Sequence, residues 1–168
     1  MNENEGLARI LPANARICVI GVGNEHRSDD AVGLAVARGL RKLLPDNVTV
    51  IEETGEGANL MESWKDVDMV ILIDAATSGA RPGTIHRIDA QAEQVPRGLF
   101  HYSTHAFSVG EAIELARAMN KLPAHFVLYG IEGESYEEGI TLSQVVEEES
   151  VHKVVSLVLK EIQGARST

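Results

Sequence analysis

The chain has 168 residues, 44% of them hydrophobic and 24% charged, with 15 Lys and Arg against 25 Asp and Glu for a net charge of −10. That is enough chain for one domain with a real core, and too apolar a chain for overall disorder. The acidic balance repels phosphate backbones and argues against nucleic acid as a partner, and a single cysteine, Cys18, excludes an internal disulfide.

In chain order, residues 1–14 read as an acidic lead-in without the basic start and apolar stretch of a secretory signal. No apolar run approaches the roughly 18 residues that span a bilayer, so the expectation is a cytoplasmic protein with no membrane partner. Ile17-Cys18-Val19-Ile20 is a continuous apolar run stopped by Gly21, as in a strand covered on both faces. Cys18 lies inside that run and reads as a small core residue. A helix is predicted from Asp29 or Asp30 through about Leu44, with Val32, Val36, Leu40, Leu43 and Leu44 on its inner side. Pro45 and Asn47 end it. Val48–Ile51 is the second strand, and a glycine-rich loop at 55–59 leads into a short helix with Leu60, Met61 and Trp64.

Val67–Ile73 is the third strand, closed by Asp74. Pro82-Gly83 marks a turn before a short strand at Thr84–Ile88. Residues 89–105 read as loop. Ser108-Val109-Gly110-Glu111 is a capping box that opens a helix to Met119. His125–Ile131 is the last strand. Thr141-Leu142-Ser143-Gln144 reads as a second capping box for a final helix with Val145, Val151, Val154, Val155, Val158 and Ile162 on one face. The alternation predicts an α/β fold: a single three-layer domain over residues 15–163, built on a twisted, mostly parallel five-stranded sheet with helices on both faces and followed by a tail at 164–168.

In such a sheet, ligands bind outside the carboxyl ends of the strands. Asp29 and Asp30 follow the first strand, Asp74 ends the third, and His105 precedes the helix capped by Ser108. Two carboxylates and an imidazole brought to one edge suit a divalent metal of borderline softness. Each has an ordinary alternative: an N-cap or first-turn acid at Asp29 and Asp30, a turn cap at Asp74, and a loop histidine at His105. Gly21-Val22-Gly23 invites a dinucleotide reading, but the third glycine of that fingerprint falls at His26, and the acids at 29 and 30 oppose a phosphate at the helix start. No Gly-x-Ser-x-Gly elbow surrounds Ser78 or Ser135, and His101-x-x-x-His105 lacks the glutamate that a zinc helix carries after its first histidine.

Several segments together resemble the hydrogenase maturation proteases (peptidase family M52). They are Gly21-Val22-Gly23-Asn24 with Ser28-Asp29-Asp30-Ala31-Val32-Gly33, then Ile71-Leu72-Ile73-Asp74-Ala75, Pro82-Gly83-Thr84, Ser103-Thr104-His105 and Tyr129-Gly130-Ile131-Glu132. The likeness runs from about Ile17 to about Leu159. It implies a phosphorylase/hydrolase-like fold and an endopeptidase that removes the C-terminal extension from the nickel-loaded precursor of a nickel-iron hydrogenase large subunit. By motif position it places the metal-contacting acid of the first loop at Asp30, the strand-end aspartate at Asp74 and the histidine at His105, with Asp30 and Asp74 also the expected catalytic pair. Members carry Glu or Asp at the first of these places; here it is Asp. The implied nickel belongs to the precursor and is contacted there rather than permanently bound. His101 is left as a supporting group or a loop histidine. The residues alone leave other readings open: a nickel-centre chaperone that cuts nothing, a Rossmann-like nucleotide-binding enzyme, and a hydrolase with resident zinc.

Overall fold

The computed structural model describes residues 10–100 and 107–166. Five strands form one sheet: β1 (Ile17–Val22), β2 (Val48–Glu53), β3 (Met69–Ala76), β4 (Ile85–Asp89) and β5 (His125–Glu132). Their order across the sheet is β2-β1-β3-β5-β4, parallel throughout except β4, which runs antiparallel on β5. This is the mostly parallel five-stranded arrangement that the alternation predicts. The chain leaves β1 toward β2 and returns past it to β3. The carboxyl ends of β1 and β3 therefore flank the point where the winding reverses, which opens a crevice.

Helices cover both faces. The helices α1 (Val32–Arg41) and α4 (His152–Arg166) lie on one side, and α2 (Gly57–Ser63) and α3 (Val109–Ala118) pack together on the other. Alternate residues of β3 feed the two cores. Met69, Ile71, Ile73 and Ala75 pack with Val36, Leu40, Val154 and Val158; Val70, Leu72 and Ala76 pack with Leu60, Trp64, Ile113 and Phe126. All eight β3 residues are buried, as expected for a central strand covered twice.

The boundaries differ from expectation in three instructive places. The first helix does not begin at Asp29 or Asp30: residues Ser28–Ala31 form a 3₁₀ turn, and the α-helix runs only from Val32 to Arg41. Leu43, expected on its inner face, lies past its end and is 60% exposed. Strand β3 continues beyond Asp74, with Ala75 and Ala76 pairing with Ile131 and Glu132 of β5. The Ser108–Glu111 capping box is present in full, but the one expected at Thr141–Gln144 is not. Ser143 turns its hydroxyl to Asp29 instead, and the last helix opens with a π turn, Val146–Val151, ahead of α4. That final helix runs through Arg166, and Leu11 N–H donates to Ala165 O at 2.8 Å.

Candidate active site at the carboxyl edge

The loop after β1 reaches the sheet edge because three glycines remove side chains where backbones nearly touch. A Cβ on Gly21 would meet Gly33 O at 2.3 Å, and one on Gly23 would meet Asp30 O at 2.1 Å. A Cβ on Gly33 would lie 2.3 Å from Val22 O and 2.4 Å from Ile73 O. Gly33 thus lets α1 press directly on the ends of β1 and β3. The close-packing glycine absent at His26 is supplied seven residues later, a spacing that a dinucleotide search passes over.

Of the acid doublet, Asp29 is fully buried and Asp30 half-buried. Asp29 faces away from the crevice into the loop after β5. Its Oδ2 accepts from Glu134 N (2.8 Å), Ser135 N (3.1 Å) and Ser143 Oγ (2.8 Å), and its Oδ1 from Ser143 N (2.7 Å). Neither acid caps a helix by its side chain. The 3₁₀ turn is entered through Ser28 at φ 49°, a left-handed conformation unusual for serine. It is held by Ser28 N donating to Gly139 O and Ser28 Oγ donating to Glu137 O, both at 2.9 Å. That reversal sends Asp29 and Asp30 to opposite sides.

Asp30 Oδ2 accepts from Asn24 N at 3.0 Å. Asp74 is 5% exposed, and its Oδ1 accepts from Ala75 N at 2.8 Å. Burial pushes the Asp74 carboxyl well above the usual aspartate range, and the negative charge of Asp30 pushes it further; the Ala75 N–H opposes both. The structure therefore brings together two of the three expected side chains, Asp30 and Asp74. His105, the third, lies outside the described residues, as does His101. In the described chain before and after them, Phe100 bridges to Ala76, two residues beyond Asp74, and Ser108 caps α3. Among the described residues no three His, Cys, Asp or Glu side chains group to hold a metal ion.

Two further contacts, which no local pattern announces, shape the edge. Tyr136 donates its hydroxyl to Ala76 O at 2.5 Å and accepts from Gly133 N at 2.9 Å, which ties the loop after β5 to the end of β3. Glu132, 3% exposed, accepts from Ser78 N at 2.6 Å and from Ser78 Oγ, with His86 Nε2 at 3.4 Å. This Ser-His-Glu group is not a nucleophilic triad. The acid binds the hydroxyl and Nε2, whereas a triad acid takes the other ring nitrogen. Its effect is to hold the turn that follows Asp74. Cys18 is 2% exposed, and burial, helped by the charge of Glu53, pushes its thiol up to about 12, so it is inert core.

A family model described as hydrogenase maturation protease matches residues 34–161, which include Asp74 and leave Asp30 just outside. The chain is 32% identical over 137 residues to a hydrogenase 2 maturation protease from Escherichia coli, covering 79% of this chain and 82% of that one. It is 31% identical over 119 residues to the hydrogenase expression/formation protein HupD of Bradyrhizobium diazoefficiens, covering 68% of this chain. It spans about three fifths (61%) of that relative's length. Among solved structures, the hydrogenase maturating endopeptidase HybD from E. coli superposes with a TM-score of 0.74 at 28% identity, covering 88% of this chain and 92% of that one.

Proposed function

This chain belongs to the hydrogenase maturation protease family, and from that premise we propose that it is an endopeptidase that removes the C-terminal extension from the nickel-loaded precursor of a nickel-iron hydrogenase large subunit. One observation carries the reading furthest. Asp30 and Asp74, distant in sequence, come together in the crevice where the winding of the sheet reverses, and the charge of one resists ionisation of the other.

The nickel is part of the substrate, held in the precursor by thiolates. Carboxylate and imidazole are acceptable nickel ligands, yet hard enough to return the metal to sulfur after the cut. Asp30, Asp74 and His105 together would supply the outer ligands. Two carboxyls forced together, one of them shielded from water, cannot both carry charge, and the repulsion that would result keeps Asp74 protonated until a cation arrives. A divalent ion relieves that repulsion and allows Asp74 to release its proton. A precursor without nickel offers no such relief and docks poorly. The metal thereby acts as a checkpoint through differential binding rather than as a resident cofactor. Docking brings the scissile bond beside the two carboxyls. Hydrolysis adds water across the C–N bond, with the hydroxyl going to the acyl carbon and a proton to the amine, and an aspartate pair at that place serves the proton movements.

Incubation of a purified large-subunit precursor, with and without nickel, tests the reading. Loss of the C-terminal segment from the loaded form alone, seen as a drop in mass, is the expected result. A stable complex with loaded precursor and no change in mass would identify a chaperone instead. Equal cutting of the nickel-free form would remove the checkpoint.

A further inference from the structure

Ile140 is 84% exposed, more than any other large apolar residue described; Leu43 follows at 60%. On a loose loop this would mean little, but the loop bearing Ile140 is pinned on both sides. Immediately before it, Gly139 N donates to His26 O and Gly139 O accepts from Ser28 N, both at 2.9 Å. Three residues after it, both the backbone N–H and the hydroxyl of Ser143 are bound by Asp29. The fold therefore spends hydrogen bonds on presenting an isoleucine to water, where it contributes nothing to folded stability.

The place of Ile140 connects it to the site. Gly139 pairs with Arg27 in an isolated bridge, three residues before Asp30. Beside Ile140 is a recess of about 230 Å³ formed with Glu25, His26, Ala35, Arg38 and Leu142. The same loop carries Glu134, Glu137 and Glu138, all exposed, with no ion pair to any of them among the described residues. A rigid apolar knob, a small recess whose lining includes Ala31, next in the chain to Asp30, and an acidic rim lie on the paired loops that follow β1 and β5.

Resting on the endopeptidase reading above, we propose that Ile140 and this recess are the docking point for the large-subunit precursor, on a precursor surface that offers an apolar pocket rimmed by basic side chains. The argument for this occupant is continuity and charge. The bond to be cut must lie at the carboxyl edge, so the body of a folded substrate extends over the adjoining loops, and the acidic rim selects a basic face. One or two well-placed apolar anchors commonly carry such an interface.

The test measures affinity and cleavage for the loaded precursor with four proteins: wild type, Ile140→Ser, Leu43→Ser and the double variant Glu137→Lys with Glu138→Lys. Leu43 is the control, an exposed apolar residue beyond the far end of α1. Ile140→Ser should weaken binding about tenfold or more and raise KM by the same factor with kcat unchanged. Leu43→Ser should match wild type. Reversing Glu137 and Glu138 to Lys together should weaken binding as well. Affinity indifferent to both the Ile140 and the glutamate changes overturns the proposal. Loss of a wild-type dimer in Ile140→Ser with unchanged precursor affinity assigns the surface to a second copy of this chain and likewise overturns it. Wild type that neither binds nor cuts the precursor defeats the endopeptidase reading itself and this proposal with it; wild type that cuts, with Ile140→Ser cutting equally well, defeats this proposal alone.

Discussion

Asp29 and Asp30 are adjacent in sequence and opposite in use. Asp29 spends both oxygens on four donors of the loop after β5 and is closed to solvent. Replacing it with Ala leaves those part-buried donors without their acceptor, at a cost of about 3 kcal/mol. Hydrogen exchange should show the amides of Glu134, Ser135 and Ser143 losing protection in Asp29→Ala and keeping it in Asp30→Ala. Asp74 is the contrasting case of a side chain that opposes folding. Its folded pKa stands above its unfolded value. The fold therefore holds a proton there that the unfolded chain releases, and stability falls as pH rises from the unfolded value toward the folded one. Asp74→Asn keeps the shape and removes the ionisation. We expect the metal-free variant to be more stable than wild type at pH 7 by about 1 kcal/mol, or about 2–4 °C in Tm. The advantage should shrink as pH falls toward about 4, where the unfolded chain begins to take up the proton as well, and vanish below about 3. A thermal melt series across that range checks it, and an Asn variant less stable at pH 7 would contradict it.

At the scale of elements, the crevice exists because backbones approach without side chains between them. Gly33 faces carbonyl oxygens of both β1 and β3, and a methyl group there has nowhere to go. Gly33→Ala should force α1 off the sheet and cost at least about 3 kcal/mol in chemical denaturation, whereas Ala at Gly164, whose Cβ meets nothing, should cost none. The same scale shows why sequence patterns succeed or mislead. Ser108 and Glu111 are three apart and each side chain bonds the other's backbone N–H, so their capping box is visible locally. Ser143 has the same local look, but its hydroxyl is taken by Asp29, 114 residues away. Likewise Asp29 and Asp30 look like helix-start acids until Ser28 adopts a left-handed turn held by Glu137 and Gly139. Periodicity reports which face is apolar; it does not report which distant donor wins a side chain.

For the molecule as a whole, the alternating run of strands and helices was enough to predict the layers, because continuous apolar strands such as Ile17–Ile20 and Met69–Ile73 can only be satisfied by cover on both faces. From those layers it follows that Asp30 and Asp74 share an edge, since both leave carboxyl ends of neighbouring parallel strands. The supporting frame was not legible: Tyr136 on Ala76, Glu132 on Ser78 and Asp29 on Ser143 are contacts set by the folded chain alone. Described helices offer none long and apolar enough to cross a membrane. The proposed joint action of Asp30 and Asp74 is on a nickel-bearing precursor. It is tested most directly by the mass of a nickel-loaded large-subunit precursor after incubation with wild type, Asp30→Asn and Asp74→Asn. The account predicts that wild type shortens the precursor and that each variant, though folded, leaves its mass unchanged. Full shortening by either variant at the wild-type rate would contradict it.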